Sequence, residues 1–258
     1  MLRMSLLQSL ILGAVEGVTE FLPISSTGHL VLASQLLQVQ QTEFLKSFEI
    51  AIQLGAILAV VVLYGRALVL NPSILARVAT AFIPTGVIGF LVYRAFKQYL
   101  IGSTTVVLWS LFLGGIILIL CEWWHRDRET AIDDLGRMTY PQAFLIGCCQ
   151  AIAIVPGVSR SAATVLGGMF LGIRRRTIVD FSFLLAIPTM GAATGYDLLQ
   201  ASQTFSQADA AALAVGFIAS FVVALLSIRW LVRFIRTHTF APFGIYRICI
   251  ALLWWLLL

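Results

Sequence analysis

Two stretches without a single charge, residues 104 to 121 and 210 to 228, constrain this chain more than any other feature. Each approaches the roughly 20 residues with which a helix crosses about 30 Å of hydrocarbon. Neither alternates polar with apolar positions, as the segments of about 10 residues in a membrane β-barrel do. They are apolar all round and therefore span as helices. Composition agrees: of 258 residues 60% are hydrophobic and 11% charged, against about 25% charged in an ordinary soluble domain. Mean hydropathy is +0.96. The expected fold class is an all-α polytopic membrane protein, a single membrane domain over 1–258. The net charge of +5 belongs to loop topology, and no nucleic-acid partner is expected. Cys121, Cys148, Cys149 and Cys249 form no CxxC pair and have no histidine at metal spacing, so all four are expected as small core residues.

Against that background "EGVTEFLPISSTGH", residues 16–29, is out of place. An ionisable group at the centre of a membrane helix costs roughly 2.5–3.5 kcal/mol on insertion scales, so two uncompensated acids approach about 6 kcal/mol. Glu16 and Glu20 are four apart and share a helix face, where they repel unless a proton, a cation or an arginine intervenes.

The chain also resembles itself. At an offset of 134 residues "QSLILGAVEG" from Gln8 lies over "QAFLIGCCQA" from Gln142, which pairs Gly13 with Gly147 and Glu16 with Gln150. Ser25 then meets Ser159, Ser26 meets Arg160 and Thr27 meets Ser161. At offset 135 "FIPTGVIGFL" from Phe82 lies over "FIASFVVALL" from Phe217. Two halves of similar plan are expected, about 8–95 and 142–229.

Segments 5–22 and 24–38 flank Pro23, and segments 140–156 and 159–172 flank Pro156 and Gly157. Each pair is short or polar and is expected to form a re-entrant helix hairpin, since non-helical backbone at depth is tolerated only inside protein or beside a water-filled cavity. Six spans are expected near 46–65, 77–95, 103–122, 177–199, 209–229 and 241–258. Three of them separate the hairpins, so the two copies enter from opposite faces as an inverted-topology repeat. One face then carries Arg66, Arg77, Arg126, Arg128, Arg137, Arg174, Arg175, Arg176, Arg229, Arg233 and Arg236; the other has Arg3, Lys46, Arg94 and Lys97. The positive-inside rule puts the richer face in the cytoplasm and both termini outside. Trp123, Trp124, Trp254 and Trp255 near span ends fit an interfacial belt.

In an inverted repeat both breaks reach the bilayer midplane, so "PISSTGH" faces "PGVSRSAAT". Ser25, Ser26, Thr27, Ser159, Ser161 and Thr164 then supply hydroxyls. The helices opening after the breaks point their N-termini at the same place, and Arg160 adds a guanidinium that bonds phosphate oxygens in pairs. These are the parts of a phosphate site. Glu20 and His29, three residues after Ser26, can handle a proton beside it. A divalent cation, Mg2+ or Ca2+, held by Glu16, Glu20 and a diphosphate suits the carboxylate pair; no organic cofactor is expected. Glu49 and Gln53 share a face of the first span, either supporting this site or packing helices.

At these motifs the sequence resembles the undecaprenyl-diphosphatase family, also called the bacitracin-resistance protein family. The similarity continues through "FEIAIQLGAILAVV", "MTYPQAFLIG", "FSFLLAIPTM" and "FAPFGIYR", with no departure at Glu16, Glu20, Ser25, Ser26, Thr27, His29, Arg160 or Thr164. The resemblance implies a bacterial inner-membrane enzyme that hydrolyses a C55 prenyl diphosphate to the monophosphate and inorganic phosphate, recycling the carrier for peptidoglycan synthesis. It implies an acid pair at Glu16 and Glu20, a phosphate-binding arginine at Arg160, and the family's serine and histidine at Ser26 and His29. The site is expected to open to the outer face. Expected partners are the polyprenyl diphosphate, membrane lipid and, as an option, a second copy in a homodimer. A lipid-phosphate flippase on the same inverted repeat is the rival reading.

Overall fold

A computed structural model describes residues 4–40, 42–99, 103–124, 131–201 and 210–257, with backbone alone for 43, 93–99 and 197–201. Arg3, Arg126 and Arg128 of the charge census lie outside the described residues, as do the side chains of Arg94 and Lys97.

Ten helices follow one another among the described residues. The first pair, α1 (Leu6–Thr19) and α2 (Ser26–Leu36), flanks the Pro23 break. The long helices α3 (Glu43–Leu70), α4 (Pro72–Tyr99) and α5 (Thr104–Trp124) come next. A second short pair, α6 (Tyr140–Ala151) and α7 (Arg160–Phe170), flanks the Gly157 break. The chain ends in α8 (Arg175–Ala201), α9 (Ala210–Phe234) and α10 (Ala241–Leu257). The only β pairing among the described residues is an isolated bridge of Ile132 with Ile173.

Five helices are long and apolar enough to cross a membrane: Phe44–Leu70, Pro72–Val92, Thr104–Trp124, Arg175–Tyr196 and Ala210–Phe234. Six spans were expected from sequence. The sixth, α10, has 17 residues, about 26 Å at 1.5 Å per residue, and packs along α5. The four flanking helices are shorter still. At 14, 11, 12 and 11 residues they measure about 16–21 Å, less than the roughly 30 Å hydrocarbon layer.

Small residues set the packing, as they do where helices meet in lipid. Helix α1 lies on α9 so closely that a Cβ on Gly13 would run into the Gly216 carbonyl oxygen. Helix α6 lies on α4 in the same way, and a Cβ on Gly147 would run into the Ala81 carbonyl oxygen. The helix starts match as well. Ser5 and Thr139 each form a capping box with the glutamine three residues on, which ties off N–H groups that no helical carbonyl can reach. Those glutamines then reach a carbonyl 29 residues ahead, Gln8 Nε2 donating to Leu37 O (3.1 Å) and Gln142 Nε2 to Leu171 O (3.0 Å).

The main core is aromatic and aliphatic, with Phe21, Phe181 and Phe183 fully buried. At the arginine-rich end buried Glu122 accepts from Arg175 Nε (3.1 Å), Arg175 Nη2 (2.8 Å) and the Phe240 backbone N–H (2.9 Å). That group of bonds draws α5, α8 and the α9–α10 turn together. Trp123 and Trp124, next along, are 82% and 84% exposed. The cysteines divide. Cys121 is buried and Cys148 and Cys149 are half-buried, but Cys249 is exposed, which corrects its expected place in the core: it lies on a part of α10 that no other described element covers.

Candidate active site

The chain breaks after α1 because Pro23 lacks the N–H a continuing helix needs, and restarts where Ser25 caps α2 by accepting from Gly28 N (3.4 Å). Ser25 itself sits at φ 74°, a left-handed conformation that L-residues hold only when their surroundings enforce it. In the second copy Gly157 takes the positive φ, at 87°, and Ser159 caps α7 by accepting from Ala162 N (3.2 Å). Ser26 and Arg160 are thus the first residues of two 11-residue helices, and Glu20 ends α1 beside them.

These three side chains meet. Ser26 Oγ donates to Glu20 Oε2, and Arg160 Nη2 donates to Glu20 Oε1 at 3.1 Å. The pair is only 13% and 6% exposed on its two side chains, so the bond is made in low dielectric, where an unpaired charge is costly. Arg160 Nη1 donates to the Ser182 carbonyl on α8 (3.2 Å), and the guanidinium lies 5.9 Å from the centre of the Phe21 ring. Three buried atoms beside this cluster lack a partner among the described residues: the donor Arg160 Nε, the acceptor Glu16 Oε2 and the Ser182 hydroxyl. Glu16, fully buried one turn before Glu20, feels the charges of Glu20, Glu49 and Arg160. In the second copy its counterpart Gln150 is neutral and satisfied, accepting from Thr164 Oγ1 (3.0 Å) and donating to Thr85 Oγ1 (3.4 Å). The acid pair is therefore confined to the first copy, and the guanidinium that meets it comes from the second.

Several expected phosphate ligands have other work. Ser161 Oγ donates to the Phe21 carbonyl (2.9 Å) and Ser159 Oγ to the Leu22 carbonyl (3.5 Å). Each hydroxyl has one proton to give, and both give it to the carbonyls that the first break leaves without helical partners. Thr164 is fully buried, its hydroxyl donating to Gln150 and lying 2.9 Å from the Arg160 carbonyl. Thr27 is exposed and forms no hydrogen bond among the described residues. Of the six hydroxyls expected around one anion, Ser26 alone bonds the acid, and Ser159, Ser161 and Thr164 bond the framework. His29 also departs from expectation. Its Nδ1 is 2.7 Å from Ser25 O and its Nε2 2.9 Å from Tyr246 Oη, with the Tyr246 ring stacked 5.5 Å away. Folded back over its own helical turn, it makes no bond to Ser26 or Glu20 among the described residues.

Sequence reasoning missed Arg247. It is 1% exposed on α10 and all its acceptors are carbonyls: Leu111 (3.3 Å), Ser110 (2.8 Å), Pro23 (3.3 Å) and Gly157 (3.2 Å). One guanidinium thereby holds both breaks against α5, in space left open because Gly114 has no Cβ, which would strike Arg247 Nη2. The signal was available, since an arginine within an apolar span rarely lies there without a task.

The carboxylate pair fits a divalent cation through the free Glu16 Oε2. Three or more protein ligands do not gather anywhere among the described residues, so the remaining ligands would have to come from a bound anion.

Residues 9–253 match the family described as bacitracin resistance protein BacA. The undecaprenyl-diphosphatase of Aquifex aeolicus is 49% identical over 96% of both chains. That of Sulfurihydrogenibium sp. is 49% identical over 98% of this chain and 99% of its own, and that of Thermus thermophilus is 45% identical over 96% of each. The same acid, serine and arginine that the fold gathers at the two breaks thus lie within a match running almost from end to end, and the chain belongs to the bacitracin resistance protein BacA family.

Proposed function

We propose that this protein is an integral membrane phosphatase that hydrolyses undecaprenyl diphosphate to undecaprenyl phosphate and inorganic phosphate, returning the lipid carrier to cell-wall synthesis. One observation carries the reading. Ser26, Glu20 and Arg160 form a continuous hydrogen-bonded chain across the two breaks, with a guanidinium N–H left over for an incoming anion.

Phosphoryl transfer needs positioning and charge stabilisation more than covalent help from the protein. The terminal phosphate lies against Arg160 and the α2 and α7 N-termini, whose N–H groups favour negative charge. Glu20 takes the proton of Ser26. Ser26 Oγ then attacks the terminal phosphorus, the bond to the bridging oxygen breaks, and undecaprenyl phosphate leaves. Glu20 passes that proton to the departing lipid phosphate and, ionised again, takes a proton from the water that attacks the phosphoserine; this proton returns to Ser26 Oγ as inorganic phosphate leaves. The Ser26–Glu20 bond favours this route over direct attack by water, and His29 acts by holding the α2 turn. A divalent cation, Mg2+ or Ca2+, at Glu16 and Glu20 neutralises part of the diphosphate charge when bound. Every group named comes from one chain, so the chemistry proceeds with or without a homodimer.

We infer further that α1–α2 and α6–α7 are re-entrant hairpins of an inverted repeat, in the bacterial inner membrane with both termini outside and the site opening outward. Support comes from their length, too short to span, and from the matched Gln8–Leu37 and Gln142–Leu171 bonds.

The test uses purified protein in detergent, where sidedness is lost, with undecaprenyl diphosphate added and inorganic phosphate measured. Wild type releases phosphate, while Glu20→Gln and Arg160→Ala lose most turnover although they remain folded. Turnover near wild type in either variant overturns the assignment. A phosphoserine trapped by rapid quench supports Ser26 attack, and its absence during turnover removes it.

A further inference from the structure

A concave site lies between α3 and α9, toward the arginine-rich end. This cavity of about 370 Å³ is lined by Arg229, Arg233 and Arg236 and by the apolar side chains of Leu63, Ile228 and Val232. Arg229 and Arg233 stand one turn apart on α9 and Arg236 lies in the turn that follows it, so like charges crowd together and repel. Several other arginines at this end are neutralised or engaged: Arg77 donates to the Met138 and Gly136 carbonyls, Arg137 and Arg174 meet Asp133, and Arg175 meets Glu122. The side chains of Arg229, Arg233 and Arg236 form no ion pair or hydrogen bond among the described residues. Three unneutralised guanidinium groups around one concavity are complementary to a multiply charged oxyanion.

The apolar part of the lining decides which kind. Aliphatic side chains gain nothing from a hydrated free phosphate but do gain from an acyl chain. Trp230, adjacent to Arg229, is 49% exposed and belongs to the aromatic residues that sit at headgroup level, as do Trp123 and Trp124 at the same end. We propose that this cavity binds the phosphate headgroup of an anionic membrane lipid, with its first methylenes lying on Leu63, Ile228 and Val232.

The site is separate from the catalytic one. Tyr64, on the cavity rim, donates to Asp180 (2.9 Å) and packs against Phe183 (ring centres 5.4 Å apart). Phe183 packs against Phe21 (5.7 Å), and Arg160 lies beyond Phe21. Three rings therefore stand between the two anion sites, and changing the α9 arginines leaves hydrolysis intact.

The experiment titrates the full chain, purified in detergent, with phosphatidic acid and separately with phosphatidylcholine, counting bound lipids by native mass spectrometry. Wild type retains one phosphatidic acid in preference to phosphatidylcholine, and millimolar inorganic phosphate does not displace it. The triple variant Arg229→Gln, Arg233→Gln, Arg236→Gln binds it at least about tenfold more weakly, since each basic residue near an anionic headgroup adds appreciably to the attraction, while its phosphate release is unchanged. Leu63→Trp, which fills the cavity and keeps every charge, also loses the lipid and provides the readout should the triple variant not fold. Undiminished binding in either variant, equal retention of phosphatidylcholine, or displacement by inorganic phosphate overturns the proposal.

Discussion

Replacing Arg247 by methionine removes the guanidinium while keeping an apolar stem of similar length. Four hydrogen bonds go with it, but they are not equivalent. Ser110 and Leu111 lie within α5, whose own N–H groups still serve their carbonyls. Pro23 and Gly157 lie in the breaks, and their carbonyls have no other partner among the described residues. An orphaned buried carbonyl costs about 1–3 kcal/mol, so the two together cost about 2–6 kcal/mol. Against this, the fold no longer buries a charge that makes no salt bridge, a saving of several kcal/mol. The two terms are of similar size, so the variant stays folded with a melting temperature close to wild type. Catalysis responds differently, because the same guanidinium sets the distance between the Pro23 and Gly157 breaks and hence between Ser26 and Arg160. A shift of about 1 Å in such a pair lowers turnover about 100-fold. Phosphate release in detergent and a thermal melt are measured on Arg247→Met, with Arg247→Lys, which keeps the charge and part of the bonding, recovering part of the activity. A methionine variant with wild-type kcat refutes the role given to Arg247.

Three further outcomes follow from the same geometry. Ser26→Ala abolishes phosphate release whereas Thr27→Ala, altering a hydroxyl outside the bonded cluster, leaves it close to wild type; the two are separated by a single steady-state assay. Glu16→Gln removes one of the two candidate cation ligands, so the Mg2+ concentration for half-maximal activity rises about 10–100-fold, the range seen when a metal site loses support, while an unshifted metal titration argues that Glu16 binds no cation. Gly147→Val forces a side chain against the Ala81 carbonyl and destabilises the α4–α6 contact by about 1–3 kcal/mol, read as a lower melting temperature in the same detergent.

The spans were legible because burial in lipid demands uninterrupted apolar sequence, and α3, α5 and α9 follow those runs closely. The breaks were legible from Pro23 and Gly157, and the cluster of Glu20, Ser26 and Arg160 from acids that a membrane helix does not keep idly. The match of Gln8 with Gln142 has a physical cause, since both side chains close the same 29-residue loop. Hydroxyl direction was not legible. Ser159 and Ser161 serve the Leu22 and Phe21 carbonyls, a demand created by a break more than 130 residues earlier, and no local pattern encodes it. His29 likewise depends on Tyr246, brought to it from the far end of the chain. Ser159, Ser161 and His29 share this property: each has a partner distant in sequence.

The anchoring of both breaks by Arg247 has a consequence for biosynthesis. Membrane proteins are inserted from the N-terminus, so Glu20, Ser26 and Arg160 are all in the bilayer before α10 leaves the ribosome. Until α10 docks against α5, the Pro23 and Gly157 carbonyls have no cation to share. A nascent chain that has not reached α10 therefore carries every reactive group without the clasp that aligns them.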